Sequence, residues 1–326
     1  MNDKRVDFDL RGKRIWVAGH TGMVGGAVMR QLQAEPCEVV TATRRELDLI
    51  DQKAVYAWLR KTKPDAIILA AAKVGGIYAN TLYPAEFIYE NLMISANIIH
   101  SAWAVGVTKL LNLGSACIYP RDAAQPIAED ALLSGPLEPT NACYALAKIS
   151  SIKLCEAYRT QYGCNFISAQ PNNLYGIGDN FDLENSHVIP ALILKAHEAK
   201  LRGDHEMVVW GSGTPLREFL YIEDLADALV FLLRHYNGSC HINVGTGEEL
   251  SITEVAQKVC KAVGYKGDLA FDSSRPDGVP RKLLNSNQLL SMGWSASTSL
   301  QDGLKKTYAW FLERFREGDT LPRGVT

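Results

Sequence analysis

Short apolar runs alternate along the first half of the chain with longer stretches whose apolar residues recur every three or four positions. RIWVA (14–18), EVVTA (38–42), AIIL (66–69), KLLNL (109–113) and NFISA (165–169) are too short for helices, and each reads as a strand buried on both faces. Between them the spacing predicts a helix from Met23 and helices over Gln52–Lys61, Pro84–Val105 and Asn141–Tyr162. Strand alternating with helix argues for an α/β fold built on a doubly wound parallel sheet. After Pro171 the texture changes. Residues 172–190 are rich in Gly, Asn and Asp, and are followed by a helix at 188–200, strands at 207–211 and 241–245, a helix from Thr253 and a last helix ending near Phe315. This predicts a first domain over 1–172 and a smaller C-terminal α/β domain over 173–326, some of whose segments return to the first. The first 14 residues read as a polar extension without the apolar stretch of a secretion signal, and residues 318–326 as a frayed tail.

Composition narrows the class. The 326 residues are 47% hydrophobic and 21% charged, with a formal net charge of −2, which gives no reason to expect a nucleic-acid partner. No apolar run approaches the ~18 residues of a membrane span. The seven cysteines are odd in number and scattered, with no C-x-x-C pair. That is the pattern of a reducing compartment, so a cytoplasmic location is expected. The histidines do not cluster with the cysteines at ligand spacing, and no metal site is expected.

Candidate chemistry begins at the first strand–helix junction. Gly19, His20, Thr21, Gly22, Met23, Val24 and Gly25 form a Gly-x-x-Gly-x-x-Gly turn. Glycines let a backbone turn tightly against a diphosphate, and a helix N-terminus supplies free N–H groups and partial positive charge. A merely tight turn is the alternative. The second strand ends in TATRREL, with Arg44 and Arg45 and no immediate acid, which points to the 2′-phosphate of NADP(H) rather than the free 2′-hydroxyl of NAD. A solvated arginine pair is the competing reading. Asp48 and Leu49 follow and are placed to border an adenine.

Tyr144 and Lys148 lie four residues apart on the helix predicted over 141–162 and share one face. A phenol has an ordinary pKa of about 10, and a nearby ammonium favours the phenolate. An ordinary i,i+4 surface pair has the same spacing. With GHTGMVG, Ser115 and PNNLYG, this pair resembles the extended short-chain dehydrogenase/reductase family over nearly the whole chain. The resemblance implies a Rossmann domain. It implies that Ser115 and Tyr144 hold the substrate carbonyl, that Tyr144 exchanges the proton and that Lys148 reaches the nicotinamide ribose. It places Leu113, Gly114, Pro171, Asn172, Asn173, Leu174 and His187 beside the cofactor and Asn91 in a supporting network. It also implies a homodimer built on the helices at 84–100 and 141–162.

Longer stretches, among them LAAAKVGGIYAN, GSACIYP, SHVIPALI, VVWGSGTPLREFLYIEDLA and PDGVPRKLLN, are similar to one branch of that family. Its members use NADPH to turn GDP-4-keto-6-deoxy-mannose into GDP-L-fucose by 3,5-epimerisation and 4-reduction. The similarity assigns epimerisation to Cys117 and His187 and GDP-sugar contacts to Lys195, Trp210, Arg217 and Asp277. The chemistry is coherent without it: C3 and C5 both flank the carbonyl, and inversion needs a base on one face and an acid on the other. A thiolate and an imidazole suit those tasks. Structural alternatives stay open: Cys117 as packing, His187 as a helix-start residue beside Ser186, Arg217 as the partner of Glu218 or Glu223. Two positions depart from the pattern, Thr21 where relatives can carry arginine and Cys143 where they more often carry proline. Rival readings are a reductase or partial epimerase of another GDP-4-keto sugar, a 6-deoxy-heptose or dideoxy sugar, and an NADP-binding protein without turnover.

Overall fold

The computed structural model describes residues 7–183, 186–275 and 277–315. The expected frayed tail at 318–326 and the first six residues of the N-terminal extension lie outside the described residues. The first half runs β1 (Arg14–Ala18), α1 (Met23–Leu32), β2 (Glu38–Val40), α2 (Gln52–Thr62), β3 (Ala66–Leu69), α3 (Ile77–Leu82), α4 (Pro84–Ala104), β4 (Lys109–Leu113), α5 (Ala142–Tyr162) and β5 (Asn165–Pro171). Local chemistry sets the helix ends. The Asp51 carboxylate accepts from the Lys53 and Ala54 N–H groups at 2.8 and 3.1 Å to start α2. Pro84 opens α4 and Gly163, at φ 71°, closes α5.

The second half runs β6 (Asn173–Tyr175), α6 (Val188–Arg202), β7 (Glu206–Trp210), β8 (Leu216–Arg217), β9 (Phe219–Tyr221), α7 (Ile222–His235), β10 (Ile242–Val244), β11 (Leu250–Ser251), α8 (Ile252–Val263), β12 (Asp268–Asp272), β13 (Arg281–Lys282), α9 (Asn287–Ser291) and α10 (Leu300–Arg314). The central sheet has the order β10-β5-β4-β3-β1-β2 and every pairing is parallel. Alternate residues of each strand face opposite helix layers. Ile15, Val17, Ile68, Leu111 and Ile167 pack with α1 and α7. Trp16, Ile67, Leu69, Leu110 and Phe166 pack with α2, α4 and α5. Coverage on both sides explains the unbroken apolar runs. From β2 the chain crosses to the other side of β1 to lay down β3. The crevice at the carboxyl ends of β1 and β3 is therefore the reversal point where open α/β sheets bind ligands.

Outside this sheet β7 pairs with β12, β8 lies between β11 and β13, and β6 pairs with β9. Helices α6, α8 and α10 pack together. Several predicted boundaries shift. The second strand stops at Val40, two residues early, while β5 runs on through Gln170 and Pro171. Asn173–Tyr175, expected as loop, is a strand because Phe219–Tyr221, distant in sequence, pairs with it. The short α3 was not anticipated. No helix among the described residues is long and apolar enough to cross a membrane.

Candidate active site

The glycine turn is shaped by what lies against it. A Cβ on Gly19 (φ +89°) would fall 2.6 Å from the Ala71 nitrogen, and one on Gly25 would fall 2.0 Å from the Gly19 carbonyl oxygen. The chain's own atoms therefore exclude side chains at both positions. Gly22 differs, since the nearest atom to its Cβ position is Gly19 O at 3.5 Å, an ordinary contact. Its bare Cα faces the open side, where an incoming diphosphate needs the room. It precedes α1, whose first turn carries no acidic side chain and whose N-terminus has no side-chain cap. The cradle thus fits a dinucleotide diphosphate. His20 has a buried Nδ1 without a hydrogen-bond partner. Beyond β2, the Thr43 backbone and hydroxyl both donate to Glu46 Oε2 at 2.8 Å, forming a turn that exposes Arg44 and Arg45. Neither arginine is in an ion pair among the described residues. Asp48 spends its carboxylate on the Ile50 N–H at 3.0 Å, and Leu49 is half-buried beside it.

Strand β4 ends at Leu113, and Gly114 leads to Ser115, which caps a 3-10 turn over Ala116–Ile118. The Ser115 hydroxyl accepts from the Cys117 N–H at 3.4 Å. Tyr119 anchors this turn to β10, its hydroxyl donating to Asn243 Oδ1 at 2.6 Å and lying 3.0 Å from His241 Nε2. From α5, buried Lys148 donates to the Leu113 carbonyl at 2.8 Å. Its ammonium sits 5.8 Å from the centre of the Tyr144 ring, and that ring packs edge-on against Phe87 at 6.2 Å.

The electrostatics depart from the sequence expectation for Tyr144. Burial, reinforced by the Cys117 sulfur, pushes the phenol up rather than down. The ammonium's hydrogen bond goes to a backbone carbonyl, so it does not offset the phenol's lost hydration. Burial also lowers Lys148 to about 8, with Cys117 opposing. A neutral phenol is the form that can give a proton to a ketone oxygen. The Cys117 thiol is buried and raised for that reason, opposed first by the Lys282 ammonium, then by the Ser115 hydroxyl and Lys148.

His187 occupies the N-cap position of α6, but its side chain caps nothing. The residue is exposed overall, and desolvation by the protein packed around the imidazole lowers its pKa. Where β5 gives way to β6, Pro171 closes the strand and Leu174 is half-buried. Asn172 donates to Glu218 and to the Lys282 carbonyl, and Asn173 donates to the Glu218 carbonyl at 2.9 Å.

Further along, Trp210 is half exposed, with Lys195 Nζ 4.3 Å and the Arg275 guanidinium 4.7 Å from its ring centre. Arg217 donates to the Leu216 and Asp277 carbonyls at 2.8 and 3.3 Å. The Asp277 carboxylate accepts from the Ser212 N–H at 2.7 Å. Two cations over one indole suit an anionic, partly aromatic ligand. The salt bridges considered for Arg217 do not form: Glu223 pairs with Arg30, and Glu218 is wholly buried. Glu218 instead accepts from the Gly247 and Leu284 N–H groups at 2.7 and 3.1 Å as well as from Asn172. Asn91 grips both backbone groups of Lys73, accepting from its N–H and donating to its carbonyl, each at 3.0 Å. Sequence reasoning missed Lys282, Arg275 and Glu218. PDGVPRKLLN contains Lys282, but its pairing opposite Arg217 comes from a parallel strand contact no local pattern reveals.

Residues 15–245 match the NAD dependent epimerase/dehydratase family. The chain belongs to that family. It is 62% identical to a GDP-L-fucose synthase of Sinorhizobium fredii over 303 residues, 93% of this chain and 96% of that one. Among solved structures, a GDP-6-OMe-4-keto-L-xylo-heptose reductase from C. jejuni superposes with a TM-score of 0.88 at 35% identity, covering 95% of this chain and all of that one. A GDP-L-fucose synthetase from Naegleria fowleri bound to NADP gives 0.85 at 32% identity over 93% of this chain and 95% of that one. The motif resemblance and the Rossmann expectation are borne out.

Proposed function

We propose that the protein converts GDP-4-keto-6-deoxy-mannose to GDP-L-fucose, as its fucose-synthase relatives are named for doing. It is an NADP-dependent oxidoreductase with epimerase activity. The observation that carries the reading is the Cys117 thiol beside Ser115, Tyr144 and Lys148. A pure reductase needs the carbonyl clamp but has no use for a thiol within it.

In this reading the Ser115 and Tyr144 hydroxyls hold the C4 oxygen and stabilise the enolate that forms when a neighbouring carbon loses its proton. Cys117, as thiolate, takes the proton from C3 or C5, and His187 returns one from the opposite face. Tyr144 then protonates the C4 oxygen. Bound NADPH supplies the hydride to C4. Lys148 holds the nicotinamide ribose and keeps a positive charge near the phenol. Gly19–Gly25, Arg44, Arg45, Asp48, Leu49, Leu113, Gly114, Pro171–Leu174 and His187 border the cofactor. Lys195, Trp210, Arg217 and Asp277 hold the GDP-sugar. Residues 1–172 carry the cofactor and 173–326 the sugar nucleotide.

The reading extends to a homodimer and a cytoplasmic location. Tyr78, Leu82, Tyr83, Tyr89 and Leu146, all on α3, α4, α5 or their junctions, are exposed large apolar side chains that a second copy would cover. Seven unpaired thiols suit a reducing compartment.

Incubation with GDP-4-keto-6-deoxy-mannose and NADPH in D2O tests the function. Deuterium at C3 and C5 of a GDP-fucose product is the expected outcome. Reduction without exchange would remove the epimerase half.

A further inference from the structure

Gln170 is fully buried at the end of β5, in register between β4 and β10. A primary amide buried in a strand is costly where it is not hydrogen-bonded, and here only the oxygen is paired, Nε2 having no partner among the described residues. Its Oε1 accepts the Ser115 backbone N–H at 2.9 Å. A Cβ on Gly114 would lie 1.7 Å from that oxygen, so the glycine of β4's end and the glutamine of β5 are complementary in shape. Flipping the amide would set an NH2 group against the Ser115 N–H, donor facing donor, so the orientation is fixed by chemistry. The contact falls where the strand ends and Ser115 takes extended angles (φ −164°, ψ 150°) before the turn bearing Cys117. Gly114 still donates into the sheet ladder, to the Ala169 carbonyl at 2.8 Å, whereas Ser115 donates to this side chain.

We infer that Gln170 is a positioning residue for Ser115: its amide oxygen sets the peptide plane from which the Ser115 hydroxyl meets the substrate carbonyl. Gln170 touches neither substrate nor cofactor and acts through the serine. The inference rests on the role proposed above for Ser115.

A double-mutant cycle tests both and separates them. Gln170→Met keeps the volume and removes the acceptor, while Gln170→Glu keeps an acceptor oxygen. Gln170→Met is expected to lower the saturated rates of C3/C5 exchange and of reduction about tenfold, with NADPH affinity within about twofold. Gln170→Glu is expected to recover most of that loss. In a Ser115→Ala background, Gln170→Met is expected to change the residual rate by less than about twofold. An equal loss in both backgrounds, or no loss in either, would overturn the positioning role while leaving Ser115 in place. A Ser115→Ala enzyme with unaltered rates would overturn the serine's role and this inference with it. If Gln170→Met does not fold, Gln170→Leu carries the same expectations.

Discussion

Lys148 follows Tyr144 by one helical turn, yet it hydrogen-bonds the Leu113 carbonyl at 2.8 Å and acts on the phenol across 5.8 Å to the ring centre. Its influence is that of a charge, so it depends on protonation. With Lys148 lowered to about 8 by burial, kcat/KM for reduction is expected to fall as pH rises past that value. Lys148→Arg, permanently charged, should remove that limb, and Lys148→Met should lower reduction about 100-fold. Stability moves the other way. The unfolded chain binds more protons than the folded one between about 8 and the ordinary lysine value of 10.5, so this group's contribution to stability rises with pH across that window. Rate profiles and urea melts over the same pH range read the two effects separately.

Lys282 is the strongest cationic influence on the Cys117 thiol. Removing it should make the thiolate harder to form. Lys282→Met is expected to move the pH midpoint of C3/C5 exchange upward by about one unit or more. Cys117→Ser should slow exchange about 100-fold while NADPH still binds. An exchange profile unmoved in Lys282→Met would assign the thiol's activation to other groups, and unimpaired exchange in Cys117→Ser would assign the base elsewhere.

Arg44 and Arg45 stand exposed on a turn braced by Thr43 and Glu46. Since no carboxylate among the described residues pairs with them, they are available to a 2′-phosphate. Replacing both with serine should raise KM for NADPH about 100-fold and leave that for NADH nearly unchanged, as measured by steady-state kinetics. A similar rise for both cofactors would point to general damage.

The parts legible in the sequence are those with local causes. Trp16, Val17, Ile67 and Ile68 announce buried strands because both neighbours in the chain are buried too. Gly19 and Gly25 announce the cradle because close backbone approach leaves room for glycine alone. Contacts made at long range were not legible. Asn173–Tyr175 is a strand only through Phe219–Tyr221, and Lys282 reaches the site only through strand pairing with Arg217. The phenol of Tyr144 was misjudged because residue spacing reports which charges are near but not how much water has been excluded. Gln170 left a visible trace, an amide closing an apolar run, whose meaning required Gly114 beside it.

Glu218 has a further consequence. One buried carboxylate gathers the amide after β5, the loop after β10 and the second residue past β13 while neighbouring Arg217 in sequence. The two halves of the chain are therefore not interchangeable cassettes. A chimera joining residues 173–326 to a foreign dinucleotide-binding half would inherit this acid without the Asn172 amide that answers it. Such hybrids should express poorly unless that one asparagine travels with the graft.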